Sequence, residues 1–127
     1  MANPPDAAPY GAPVAPARSG RLTLTALAKM VSAGERLAML TAYDASLAGV
    51  CDRAGVDILL VGDSLGMVIQ GHPTTLPVEL SHALYHTRCV VAGSARPLVI
   101  TDLPFGTYQA GPEDAFRASA AALQAGA

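Results

Sequence analysis

Three apolar runs, each closing on a carboxylate, constrain this chain more than any other feature. Leu59 to Gly66 reads LLVGDSLG, so a run of strand character ends in Gly62, Asp63 and Ser64. Pro97 to Asp102 (PLVITD) repeats the pattern, and Leu37 to Asp44 (LAMLTAYD) carries it more weakly. Almost uniformly apolar strands are those covered by helices on their faces or closed into a barrel. Segments with apolar residues at helical spacing separate the runs. Such alternation calls for parallel strands joined by right-handed crossovers. The carboxyl ends of those strands share one edge of the sheet, and ligands bind there. Three acidic exits therefore converge on one region, and clustered carboxylates suit a hard cation such as Mg²⁺.

The elements between the runs follow from spacing and capping. Thr25 is a candidate cap for a first helix carrying Leu27 and Met30 on one face and ending near Gly34. After a strand from about Leu37 to Ala42, the stripe Leu47, Val50, Cys51 and Ala54 predicts an amphipathic helix. Ser46 or Asp44 can cap it, with Arg53 in its last turn and Gly55 just beyond. A strand over Asp57 to Val61 leads through a loop with Gly66, Gly71 and Pro73 to a helix from Pro77 to Ala92. Pro77 suits its first position, Gly93 its stop, and Leu80, Ala83, Leu84, Thr87 and Val91 its inner stripe. A strand over Leu98 to Thr101 precedes a last helix opening at Pro112, with Glu113 and Asp114 at the positive end of its dipole. Its expected stripe is Phe116, Ser119, Ala120 and Leu123, with Gly126 as terminator. The order is helix, then β-α-β-α-β-α.

Composition excludes several function classes. Hydrophobic residues make up 51% of the 127 and charged residues 14%, the balance of a buried sheet rather than of a disordered chain. The net charge of -2, with Lys29 as the one lysine and no basic run, argues against nucleic acid and anionic membrane surfaces. Cys51 and Cys89 fall in expected helices without a C-x-x-C pairing, so reduced thiols in a cytoplasmic protein are the default. The apolar runs are far short of a membrane span. Residues 1–21, rich in Ala and Pro, lack the apolar segment of a signal peptide and are expected to be a disordered leader.

Five motifs then fall in order. They are Thr41 to Asp44 (TAYD), Leu60 to Met67 (LVGDSLGM), Gly71-His72 with Thr75 to Val78 (TLPV), Tyr85 to Thr87 (YHT), and Asp102 to Phe105 (DLPF) with Tyr108. Together they resemble the ketopantoate hydroxymethyltransferase family, from about Leu22 to Ala127. The resemblance implies an α/β fold consisting of the first three βα units of a (β/α)8 TIM-type barrel preceded by an N-terminal helix. Residues 22–127 would then be the N-terminal part of that barrel, truncated before its fourth strand. It implies a homo-oligomer, decameric in much of the family. The implied reaction moves a one-carbon unit from 5,10-methylenetetrahydrofolate to 3-methyl-2-oxobutanoate, giving 2-dehydropantoate through a Mg²⁺-stabilised enolate. Asp63 and Asp102 would be metal ligands, and Ser64 would hold the substrate carboxylate through its hydroxyl and backbone N–H. Tyr43 matches a further active-site position. The family's Lys and metal-associated Glu on the fourth strand, and its glutamate base, are expected beyond Ala127, so these residues by themselves are expected to be inactive.

Two other readings stand beside that one. A Mg²⁺-dependent lyase or mutase of the isocitrate lyase and phosphoenolpyruvate mutase group also handles 2-oxo acids, and an inactive truncated fragment would associate with other barrel subunits at most. For individual residues the expectations are plainer. Asp44 caps the following helix. His82 and His86, four residues apart, form a surface or interface pair, because no third ligand accompanies them for zinc. His72 has no assigned role, and Phe105, Tyr108 and Phe116 are packing residues.

Overall fold

The computed structural model describes residues 20–127. Nearly all of the expected leader over residues 1–21 lies outside them. The elements are α1 (Leu24–Ser32), β1 (Met39–Thr41), α2 (Ala45–Arg53), β2 (Ile58–Val61), α3 (Leu65–Val68), α4 (Leu80–Gly93), β3 (Leu98–Thr101) and α5 (Pro112–Gln124). The three strands form one parallel sheet in the order β1-β2-β3, with Leu40 beside Leu59 and Leu59 beside Val99. This is the expected alternation, with strands adjacent in chain order, as in the opening units of a barrel. Among the described residues no helix is long and apolar enough to cross a membrane.

Alternation along β2 divides the core in two. Leu59 and Val61 point to one face with Val99, where they pack with Ala48 and Cys51 of α2 and Val90 of α4. Ile58 and Leu98 point to the other face, where Leu22, Leu27 and Met30 close over the amino ends of the strands. Farther along that second face Thr41 is exposed, Leu60 half-buried and Ile100 36% exposed, so it is open toward the carboxyl ends.

The amino-terminal rim is tied by charged groups with structural tasks. The Arg21 guanidinium donates to the carbonyls of Ser94 (2.6 Å), Pro97 (2.7 Å) and Val91 (3.2 Å), tying the end of α4 to the start of β3. Asp52 accepts from the Ala95 N–H at 2.6 Å. Arg96 pairs with the buried Asp57 at 2.6 Å, and the other Asp57 oxygen accepts from the Ala38 N–H at 3.0 Å.

Several expectations from spacing are corrected. The cap of α1 is Thr23, whose side chain accepts from the Ala26 N–H, not Thr25. The loop after β2 contains the short helix α3, and α4 begins at Leu80 with Glu79 as its cap, later than Pro77. In α2 the buried residues are Ala48 and Cys51, while Leu47 and Val50 are 43% and 53% exposed. In α5 they are Ala118 and Ala122, with Phe116 at 73% and Leu123 at 68%. Phe105 and Tyr108 are likewise exposed rather than packed inside. In both helices the inward face carries small residues, which let the axes approach closely, while the larger apolar side chains stay outside.

Gly93 shows how close that approach is. It is the last residue of α4 rather than the stop beyond it, and a Cβ built on it would run into the backbone of Ala45 at the start of α2. Gly93→Ala is therefore expected to push α2 and α4 apart and to cost about 1–3 kcal/mol. The urea midpoint of the variant against its parent measures this, and an unchanged midpoint would show that the helix pair separates freely.

Candidate active site at the carboxyl ends of the strands

The hydrogen-bond ladder runs past the strands and brings their exits together. The Ala42 N–H donates to the Leu60 carbonyl (3.1 Å) and the Asp102 N–H to the Val61 carbonyl (2.8 Å). Continuing the register two residues past Thr41 and one past Thr101 sets Tyr43 and Asp102 on either side of Gly62, with Asp63 and Ser64 immediately after it. The turn into α3 is tight, closed by Leu65 N–H to Gly62 (3.2 Å) and Gly66 N–H to Asp63 (2.9 Å). Gly66 is required there, since a Cβ at this position would overlap a methyl group of Val78. The end of β3 is held by Thr101, whose hydroxyl bonds at 2.6 Å to that of the buried Thr87 on α4. Thr87 itself donates to the Ala83 carbonyl, so it accepts from Thr101 and holds the residue before Asp102.

The aspartates of the described residues separate into two groups. Asp44 caps α2 by accepting from the Leu47 N–H at 2.8 Å, as expected. Asp52 and Asp57 hold the amino-terminal rim, and Asp114 lies 4.0 Å from Arg117. Asp63, half-buried, and Asp102, exposed, accept no side-chain hydrogen bond and join no ion pair among the described residues. Neither do the backbone N–H groups of Asp63 and Ser64 donate to any acceptor there. The strand exits thus combine two uncommitted carboxylates with two uncommitted N–H donors.

This donor set fits a hard divalent cation and an anionic ligand. Among the described residues no three His, Cys, Asp or Glu side chains gather into a cage. Mg²⁺ is held by one or two carboxylates, the remaining positions going to water and substrate oxygens, so Asp63 and Asp102 match its habit. The free N–H groups are suited to a carboxylate.

Ser64 and Tyr43 stand together, and the histidines part company. Ser64 gives no side-chain cap to α3; its hydroxyl is bonded to that of Tyr43 at 2.5 Å. His82 accepts the Glu79 N–H at 3.2 Å and belongs to the start of α4. His86 is half-buried, and its Nδ1 lies 2.6 Å from the carbonyl oxygen of the buried Tyr43. Nothing in the pattern of residues announced this contact, although Tyr85-His86-Thr87 is one of the five motifs. Spacing along α4 pairs His86 with His82, whereas its partner arrives from the segment that follows β1.

A family described as ketopantoate hydroxymethyltransferase matches residues 21–127. The chain is 58% identical over 106 residues to the 3-methyl-2-oxobutanoate hydroxymethyltransferase of Thiobacillus denitrificans, covering 84% of this chain and 40% of that protein. The identically named protein of Ralstonia nicotianae is also 58% identical, with 84% and 38% covered. That of Neisseria meningitidis is 54% identical, with 84% and 40% covered. The chain spans about two fifths of the length of these curated relatives.

Proposed function

Because this chain belongs to the ketopantoate hydroxymethyltransferase family, we propose that its strand exits bind the 2-oxo acid in a hydroxymethyl transfer. The donor in this reading is 5,10-methylenetetrahydrofolate, the acceptor 3-methyl-2-oxobutanoate and the product 2-dehydropantoate. The full protein is a (β/α)8 barrel, acting in the cytoplasm as a homo-oligomer. The observation that carries the proposal is the pair Asp63 and Asp102, the two aspartates that have no structural partner among the described residues.

Asp63 and Asp102 would hold a Mg²⁺ ion. When bound, that ion supplies Lewis acidity toward the keto and carboxylate oxygens of the substrate. The chain's own contribution is binding and orientation. The N–H groups of Asp63 and Ser64 and the Ser64 hydroxyl receive the substrate carboxylate, and Tyr43 sets the direction of that hydroxyl. So oriented, C3 of the acid loses its proton and forms the new carbon–carbon bond to the one-carbon unit; both carbon–nitrogen bonds of that unit break, water supplies the hydroxyl oxygen, and tetrahydrofolate leaves with its nitrogens reprotonated. We assign the proton acceptor to a group other than Asp63 and Asp102, since carboxylates engaged with a cation are poor bases. The strand-exit aspartates and the family match favour this transferase over the lyase or mutase reading.

The test is C3 proton exchange by the full protein without folate. In D₂O with Mg²⁺, the C3–H signal of 3-methyl-2-oxobutanoate is expected to fade, and a chelator should stop the loss. Absence of both exchange and saturable binding of the acid would overturn the proposal.

A further inference from the structure

His86 lies outside the set of groups that would meet cation or substrate, yet it is joined to them through one residue. From α4 its Nδ1 reaches the Tyr43 carbonyl at 2.6 Å; a carbonyl only accepts, so Nδ1 carries the proton. The two rings meet edge to face, with centroids 6.2 Å apart and planes at 80°. Tyr85 closes on the histidine ring in the same manner, at 5.3 Å and 83°. Tyr43 is thereby fixed at both its backbone and its ring, and its hydroxyl ends on Ser64. When Tyr43 donates in that pair, the Ser64 O–H is left to donate outward, and chained hydroxyls strengthen one another.

From this chain we infer that His86 is a positioning residue, which acts through Tyr43 to aim the Ser64 hydroxyl at the carboxylate of the 2-oxo acid. The inference rests on the functional reading above. It separates two properties of the site. His86 makes no hydrogen bond or ion pair with Asp63 or Asp102 among the described residues, so it governs the acid and not the cation.

Titration calorimetry on the full protein tests this, first with Mg²⁺ alone and then with 3-methyl-2-oxobutanoate at saturating Mg²⁺. His86→Ala is expected to weaken binding of the acid about tenfold, the worth of one well-made hydrogen bond, and to leave Mg²⁺ affinity unchanged. His86→Asn places an N–H near the Nδ1 position and should restore most of the affinity, whereas His86→Gln, whose amide lies nearer Nε2, should not. Tyr43→Phe should reproduce the loss, and the double variant with His86→Ala should be no weaker than Tyr43→Phe alone.

The outcomes are distinct. A parent that binds Mg²⁺ but not the acid overturns the functional reading, and this inference falls with it. A parent that binds the acid while His86→Ala binds it equally well overturns the inference alone. So do losses that multiply in the double variant, or acid and Mg²⁺ affinities that fall together. If His86→Ala does not fold, equal affinities of the Asn and Gln variants overturn it.

Discussion

Asp63→Ala is expected to slow Mg²⁺-dependent C3 exchange in 3-methyl-2-oxobutanoate by at least about a hundredfold, more than the loss usual for a residue that only supports a metal ligand. The fold should survive the change. The Asp63 carboxylate accepts no hydrogen bond and pairs with no cation among the described residues, so its removal strands no partner. Substitutions of that kind shift stability by about 0.5 kcal/mol or less. The same holds for Asp102. The contrast with Asp44 is instructive, because truncating that helix cap should cost about 1 kcal/mol. Exchange rate and thermal midpoint measured on one preparation decide the matter. Exchange retained in Asp63→Ala would sink its assignment as a ligand, and lost exchange with a collapsed midpoint would return it to the scaffold.

The largest stability loss is expected at the opposite end of the sheet. Asp57→Ala leaves the Arg96 guanidinium without its carboxylate in a place where the two side chains are 17% and 8% exposed. Breaking a buried pair from one side costs about 3–5 kcal/mol, because the remaining charge has lost both water and partner. Here the Ala38 N–H loses its acceptor as well, which loosens the entry to β1. Arg96 keeps its bonds to the carbonyls of Gly55 (3.2 Å) and Val56 (3.1 Å), so the loop before β3 should remain attached. Replacing both partners, as in Asp57→Leu with Arg96→Met, should recover much of the loss. Urea unfolding of the parent, the single and the double variant measures this, and a double variant no better than Asp57→Ala would show that the Ala38 bond dominates.

Legibility differed by kind of feature. Strand positions were readable because an apolar run bounded by Gly and Pro has few other uses in so short a stretch. Caps of one residue's width were less so: Thr23 and Thr25 offer the same hydroxyl, and Pro77 and Glu79 are both fair openings. Helix faces were the hardest. In α5, Ala occupies so many positions that several stripes satisfy a helical period, and the bulkiest of them, through Phe116 and Leu123, faces outward. The small stripe goes inside because it lies against another helix, and only that neighbour decides it.

The amino-acid sequence alone determined the alternation of strand and helix, the family, and the two aspartates at the ends of β2 and β3. These depend on local patterns, a few residues of apolar character followed by a turn, and on motifs in order. The tertiary structure decided which carboxylates are free and which are spent. Asp44, Asp52 and Asp57 look no different from Asp63 and Asp102 along the chain, and are told apart by partners as distant as Ala95 and Arg96. It also decided that His86 serves Tyr43, a contact between residues 43 positions apart. Hydrogen bonds and charge pairs act over a few ångströms of space, whatever the separation in sequence, so they exist only once the sheet and its helices have been assembled.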